Sequence, residues 1–461
     1  MGTNISLISG SIRANTSKIS RLNEIVSEAS DARDLNHRIR SSGIVFSNTD
    51  ISVAHAALGA LDSGSTVKIS AITSLLSRSQ KSLYNTPASV EGDIGALDTL
   101  SMDEGALRGF LEEIGASDGI VLGTPVYFGD RSSVANKLLQ QTNIRRLLKD
   151  KIFGVVSVGA KRNGGQETAA IYSLYEALMQ GAIVVGSGPP ICQYGGTVWA
   201  GDKGSALEDG LGLSTCYATG RQVSYFSGIL DEGAKSPDEG GKPRISVIVT
   251  MNTRDNYVGK YLEDYFGPYM DKADLDFINL IDYEIFRCVG CSRCPCRIVK
   301  DDPVSSGMCV LKDGADHMRQ LHARIKGSDC IIIVGANNTK DDLVYRYQVF
   351  MERTRYIRRN NFELSNTPVI GMLLNEPEGI NNPMHNIKVL TSYIRHNTMM
   401  LKPINIILIK GKVVYSDRFD DHLALLGIIK KGRSSSGAVS ISYEAEGYSD
   451  KTYDNMRSER S

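Results

Sequence analysis

Apolar positions along the chain fall into short runs, each followed by a stretch with helical spacing. Residues 4–9 (NISLIS) form the first run. It ends at Gly10-Ser11-Ile12-Arg13-Ala14-Asn15-Thr16-Ser17 and passes at once into a helix-like segment. A weakly patterned segment, about 30–62, reads as an insertion, and Thr66–Ile72 predicts a second strand. Ser101-Met102-Asp103-Glu104 makes a capping box, and the helix behind it carries Leu107, Phe110, Leu111 and Ile114 at helical spacing. Next come a strand over Gly119–Leu122, a loop over Gly123–Asp130 and a helix through Val134 and Leu138. A strand at Phe153–Val158, a glycine-rich loop over Gly159–Thr168, another helix and a last strand near Ile183–Val185 complete the half. Strands alternating with helices predict an α/β fold with a doubly wound parallel sheet. All three special loops follow the carboxyl ends of strands, where such sheets bind ligands.

The pattern then restarts. Residues 231–244 (DEGAKSPDEGGKPR) are charged and rich in Gly and Pro, as a linker would be. Ile245–Thr250 predicts a strand, Asn252–Asn256 the corresponding loop, and Phe277–Ile281 a second strand running into a group of cysteines. Asp316–Ile325 is helical in pattern, Cys330–Val334 parallels Gly119–Leu122, and Val369–Leu373 parallels Phe153–Val158. The likeness of DGIVLG at Asp118–Gly123 to DCIIIVG at Asp329–Gly335 supports an internal duplication. The expected plan is therefore tandem doubly wound domains: 1–230, a linker at 231–244, 245–432, and a serine-rich polar tail at 433–461.

Composition agrees with two soluble domains. A chain of 461 residues exceeds one ordinary core, and its 41% hydrophobic and 23% charged residues are those of a globular protein. Lys plus Arg equals Asp plus Glu, so there is no electrostatic case for nucleic acid or an anionic membrane. The apolar stretches are far short of a bilayer span, and no positively charged leader precedes a cleavage site. The cytoplasm is the expected compartment. Thiols stay reduced there, so a thiol cluster reads as metal-binding before it reads as disulfides.

Five of eight cysteines fall in one window: Cys288, Cys291, Cys294, Cys296 and Cys309. C-x2-C-x2-C with a fourth thiolate downstream suits a [4Fe–4S] cluster; zinc or redox-active thiols are the alternatives. Cys192, Cys216 and Cys330 lie in apolar or loop contexts and read as packing residues.

The N-terminal loops suit a phosphate and a flat ring on chemical grounds. Ser11, Arg13, Asn15, Thr16 and Ser17 offer donors to a dianionic phosphate near a helix N-terminus. Pro125 stiffens the second loop, and Tyr127 or Phe128 can lie against a flat ring. Gly164 and Gly165 let the third loop's backbone approach it.

In order, these three loops resemble those of the flavodoxin-like NAD(P)H-dependent FMN reductases over about residues 4–227. Ser9-Gly10-Ser11-Ile12-Arg13 is similar to that family's phosphate loop, and Gly123-Thr124-Pro125-Val126-Tyr127-Phe128-Gly129 to its flavin loop. Ala160, Asn163, Gly164, Gly165 and Glu167 match the third. The resemblance implies FMN, NAD(P)H as electron donor, and a homodimer or homotetramer with each flavin near a subunit boundary. Tyr127 is the candidate proton donor, with ring stacking as its plainer role.

The C-terminal half resembles the iron–sulfur flavoproteins, through Cys288-Val289-Gly290-Cys291-Ser292-Arg293-Cys294 and Gly307-Met308-Cys309-Val310-Leu311-Lys312-Asp313. That likeness implies Cys288, Cys291, Cys294 and Cys309 as ligands. The gap before Cys309 is longer than usual, and Cys296 is an extra thiol or an alternative ligand. The loops of this half that would correspond to the flavin loops lack Gly-Ser, the Pro and the aromatic residues, so it is expected to keep the fold and the thiols without the flavin. Arg353, Arg355, Arg358 and Arg359 read as a solvated helix face, with NADPH phosphate or an acidic redox partner as alternatives.

The expected function is an FMN-dependent NAD(P)H oxidoreductase with a [4Fe–4S] relay, acting on a small molecule or a redox partner. The rivals are an electron-transfer module feeding another enzyme and a zinc-stapled assembly protein.

Overall fold

The computed structural model describes every residue except 1, 77–102, 189–192, 238–239, 252–257, 291–308, 310, 312–313, 337–342, 355–363, 365, 377–387, 392–398 and 436–461. The chain divides into two compact units, Met1–Asp231 and Glu232–Ser461.

In the first unit the strands are β1 (Asn4–Ser9), β2 (Thr66–Ala71), β3 (Gly119–Tyr127), β4 (Asp130–Arg131), β5 (Ile152–Gly159), β6 (Ile183–Val184) and β7 (Gly196–Trp199). The parallel order is β2-β1-β3-β5, with β6 and β7 both on β5. This is the doubly wound order in which the chain reverses direction between β1 and β3. Both faces of the central strands are covered, so β5 is buried along its whole length and reads as continuous apolar sequence (IFGVVSVG).

Its helices are α1 (Thr16–Glu28), α2 (Ala32–Ser41), α3 (Asn48–Leu61), α4 (Glu104–Ala116), α5 (Ser133–Leu139), α6 (Thr142–Leu147), α7 (Gln166–Met179) and α8 (Gly210–Lys235). The weakly patterned segment 30–62 is thus two helices, and α3 is buried continuously from Thr49 to Ala60. A helix covered on every side has no polar stripe to give it periodicity, which is why its pattern was faint. Its small residues let a neighbour approach closely. A Cβ on Gly59 would lie 2.0 Å from Tyr217 O, and one on Gly220 of α8 would lie 1.8 Å from Ala56 O. Helix α4 starts at Glu104, with Asp103 as cap accepting from Ala106 N, two residues later than the Ser101–Glu104 capping box predicts; Ser101 lies outside the described residues. Helix α8 runs into the stretch expected as a linker, which is helical as far as Lys235.

The second unit repeats the plan with β8 (Arg244–Val249), β9 (Asp274–Asn279), β10 (Cys330–Ala336), β11 (Val369–Asn375), β12 (Met400–Ile409) and β13 (Lys412–Ser416). The order is β9-β8-β10-β11-β12, all parallel, with β13 antiparallel on the outside. Described helices are α9 (Val258–Phe266), α10 (Met318–Lys326), α11 (Leu343–Arg353) and α12 (Asp420–Ser435).

One detail recurs at the same place in both sheets. Asp118 accepts from Asn4 N at 2.8 Å, and Ser117 meets Ser6 at 2.5 Å. In the second unit Asp329 accepts from Arg244 N at 3.0 Å, and Ser328 meets Ser246 at 2.6 Å. Each Ser-Asp pair ties the start of the third-placed strand to the start of the first, with the hydroxyls buried and mutually satisfied.

Candidate functional site

Strands β1, β3 and β5 are sheet neighbours, so the loops at their carboxyl ends must meet. Gly10 N donates to Gly123 O at 2.7 Å, joining the first loop to the second. Ser132 fastens the same junction, its hydroxyl donating to Gly10 O at 3.3 Å and its N–H to Thr124 Oγ1 at 3.0 Å.

The first loop turns tightly on Ser11, whose carbonyl accepts from Ala14 N and whose hydroxyl accepts from Arg13 N. Thr73, just past β2, donates to Ala14 O at 2.5 Å and holds the turn from outside. Asn15 caps α1 by accepting from Lys18 N at 2.9 Å, and Ser17 donates to the same Asn15 oxygen. The first turn of α1 carries no acidic residue, so its positive end is uncompensated. Arg13, Thr16 and Ser17 are exposed beside it, whereas Ser11 is buried.

The second loop differs from expectation. The strand does not end at Leu122 but runs on to Tyr127, and Val126 and Tyr127 pair antiparallel with Arg131 and Asp130. Phe128 (φ +52°) and Gly129 (φ +79°) form the two-residue tip, both left-handed as a primed hairpin turn requires. Phe128 is fully exposed and Tyr127 half exposed, while Pro125 and Val126 are half-buried. Thr124 is wholly buried; its hydroxyl accepts from Ser132 N and donates to Pro125 O, so it holds the loop in shape.

The third loop rests on the second. Gly165 (φ +90°) precedes α7 as its cap, and a Cβ there would lie 2.7 Å from Gly129 Cα. Two glycine backbones thus touch where no side chain fits. Gln166, buried, pins the loop from beneath, accepting from Gly164 N at 2.9 Å and donating to Lys161 O at 2.7 Å. Ala160, Asn163 and Glu167 are exposed, and Arg162 lies over the Trp199 ring at 6.0 Å.

Two buried charged groups flank these loops. Asp50, in a capping box with Ser47 on α3, accepts from Ser9 at 2.5 Å, and burial pushes its carboxyl above the ordinary range. Arg131 is buried, and among the described residues its side chain has loose ionic partners, Asp130 at 3.5 Å and Glu176 at 3.8 Å; burial pulls its pKa down. Sequence reasoning missed Gln166, Ser132, Thr73 and Asp50. Gln166 occupies the variable place in Gly-Gly-x-Glu, and only Ser47-x-x-Asp50 carried a local signal, a capping box.

In the second unit, Cys288 and Cys309 are half-buried, while Cys291, Cys294 and Cys296 lie outside the described residues. Gly290 (φ +62°) turns its N–H onto Cys288 Sγ at 3.4 Å. The two ends of the cysteine loop are held together: Glu284 N donates to His317 Nδ1, His317 N to Glu284 O, and Phe286 N to Asp316 Oδ1.

Arg353 closes this neck. It is not solvated: its side chain is 1% exposed, as is that of Asp316 at 2.5 Å. Burial pulls its pKa down, but the hydrogen bond to Asp316 and the nearby Cys309 sulfur raise it above its usual value. Arg355, Arg358 and Arg359 lie outside the described residues. Cys216 and Cys330 are fully buried in their cores, and burial pushes both thiols up. Among the described residues no three His, Cys, Asp or Glu side chains gather as a metal site, and no helix is long and apolar enough to cross a membrane.

The strand order and the three joined loops at the carboxyl ends of β1, β3 and β5 define a flavodoxin-like α/β unit. Residues 47–193 match the family described as NADPH-dependent FMN reductase. An iron–sulfur flavoprotein of Methanocaldococcus jannaschii is 39% identical over 119 residues, 25% of this chain and 61% of that protein. An iron–sulfur flavoprotein of Methanosarcina thermophila is 33% identical over 117 residues, 24% of this chain and 57% of that one. The chain therefore spans only about three-fifths of these relatives' lengths (61% and 57%). A flavodoxin, WrbA-like protein from Agrobacterium tumefaciens aligns at 16% identity with a TM-score of 0.27, over 49% of this chain and 98% of that one. The N-terminal region is thus similar to the NADPH-dependent FMN reductases, and the chain to iron–sulfur flavoproteins.

Proposed function

We propose that this chain is an FMN-dependent NAD(P)H oxidoreductase built from two copies of one ancestral unit, the first holding FMN and the second a [4Fe–4S] cluster. The juxtaposition of the three loops carries the flavin reading. Their glycine contact packs the second and third loops together where no Cβ fits, beside an uncompensated helix end that carries exposed hydroxyls. When bound, FMN supplies hydride acceptance and one-electron release. Ser11, Arg13, Asn15, Thr16 and Ser17 would hold its phosphate. Pro125, Val126 and Tyr127 would flank the ring, and the Gly164–Gly165 backbone would face its polar edge. Tyr127, half exposed on the hairpin, is free to stack or to give a proton to substrate.

The matching Ser-Asp ties of the two sheets support duplication. The donor set at the second unit's loop is thiolate-rich, with an N–H turned onto Cys288 and a buried guanidinium beside Cys309, which suits an anionic cluster. The relatives named iron–sulfur flavoproteins add support to the same reading. Homodimers or homotetramers acting in the cytoplasm on a small molecule or a redox partner complete the proposal.

Anaerobic purification followed by an absorption spectrum and FMN, iron and zinc analysis tests it. Flavin bands with a broad shoulder near about 400 nm are expected. A colourless zinc-bearing preparation refutes the reading, and a yellow one without iron retains the flavin enzyme alone. NADPH turnover that needs an added protein partner would instead favour the electron-transfer module.

A further inference from the structure

The cysteine loop departs from and returns to the fold through a neck whose central residue is Arg353. This guanidinium donates to Phe286 O at 2.7 Å, ahead of Cys288, and to Asp316 at 2.5 Å, beyond Cys309. One side chain therefore spans both ends of the loop. It sits at the end of α11 among Tyr347, Val349 and Phe350, all buried, where an ion is costly unless each N–H finds an acceptor. Two of its three nitrogens are accounted for. Nε has no hydrogen-bond partner among the described residues, and Cys309 is the sulfur that acts on this group.

We propose that Arg353 is the positioning residue of the cluster, locking the loop's neck through Asp316 and Phe286 and offering its charge to the Cys309 sulfur. The inference rests on the iron–sulfur reading above. A thiolate-ligated cluster is anionic, and hydrogen bonds and positive charge at its sulfurs raise its reduction potential.

The test uses the full chain, purified anaerobically with its metal, as wild type, Arg353→Lys, Arg353→Met and Arg353→Met/Asp316→Asn. The double variant removes both charges and guards against misfolding from an unpaired buried Asp316. Iron per chain, the rate of iron transfer to a chelator and the midpoint potential from EPR-monitored reduction are measured. The Met variants should release iron about 10–100-fold faster. Their midpoint should fall by about 59 mV, a tenfold change for one electron. Arg353→Lys, keeping the charge, should recover most of the midpoint. Wild-type release and midpoint in all three variants would reduce Arg353 to a structural pin and overturn the inference alone. Wild type that holds zinc or no metal overturns the cluster reading, and this inference with it.

Discussion

Acidification should destabilise the first unit through one histidine. His55 sits on α3, 2% exposed, with Nε2 2.9 Å from Asn36 Oδ1. Burial lowers its pKa to about 4 from the usual 6.5. The folded state therefore binds fewer protons than the unfolded state across that window. The stability His55 contributes is complete above about pH 6.5 and is lost as pH falls through about 4. At about 1.36 kcal/mol per pH step, the whole loss is roughly 3 kcal/mol, and at pH 5 it is about 2 kcal/mol.

Asp50 works in the opposite sense, because burial raises its pKa, but it does so in wild type and variant alike. Trp199 is the chain's one tryptophan and lies in the first unit, so its fluorescence reads that unit's unfolding. Urea titrations at pH 7 and pH 5 on wild type and His55→Gln give the four stabilities needed. Wild type should lose about 2 kcal/mol more than the variant between those pH values. Equal losses in both would refute the assignment of this pH dependence to His55.

Gly165→Ala should weaken FMN binding about tenfold or more. A left-handed alanine costs about 1–2 kcal/mol, and its Cβ meets Gly129 backbone at 2.7 Å; fluorescence quenching of free FMN on titration checks this. Gly220→Val should cost the first unit more than about 2 kcal/mol by forcing α8 off α3, read as a lower urea midpoint in Trp199 fluorescence. Ser117→Ala and Ser328→Ala should each cost about 1–2 kcal/mol, because each strands a buried hydroxyl. Trp199 fluorescence reads the first and hydrogen exchange over β8 and β10 the second; a large cost in one unit and none in the other would deny that the two ties are equivalent.

The strands were legible because buried parallel strands are short, nearly continuous apolar runs. Ile152–Gly159 and Cys330–Ala336 could hardly be read otherwise. The restart of that pattern after residue 230 was legible for the same reason. Helix α3 was not, since burial on every side erases the amphipathic stripe by which a surface helix declares itself.

The candidate site shows the same division. Gly10–Ser17, Gly123–Gly129 and Gly159–Thr168 are local motifs, and their residue types alone pointed to a phosphate and a flat ring. What they do with their own side chains was decided elsewhere in the chain. Thr124 turned inward because Ser132, eight residues on, needed an acceptor for its N–H. Tyr127 and Phe128 became the arm and tip of a hairpin because Asp130 and Arg131 pair back onto the strand. Arg353 offers the sharpest contrast. In sequence it stands in a basic run, and such runs are ordinarily solvated; only the fold brings it to Asp316, thirty-seven positions earlier, and buries both. Local chemistry and periodicity are written residue by residue, so the sequence alone determined the class of fold and the loops proposed to take the ligand. Burial and pairing between distant residues depend on chain closure, so only the tertiary structure decided which charges are hidden and which loops touch.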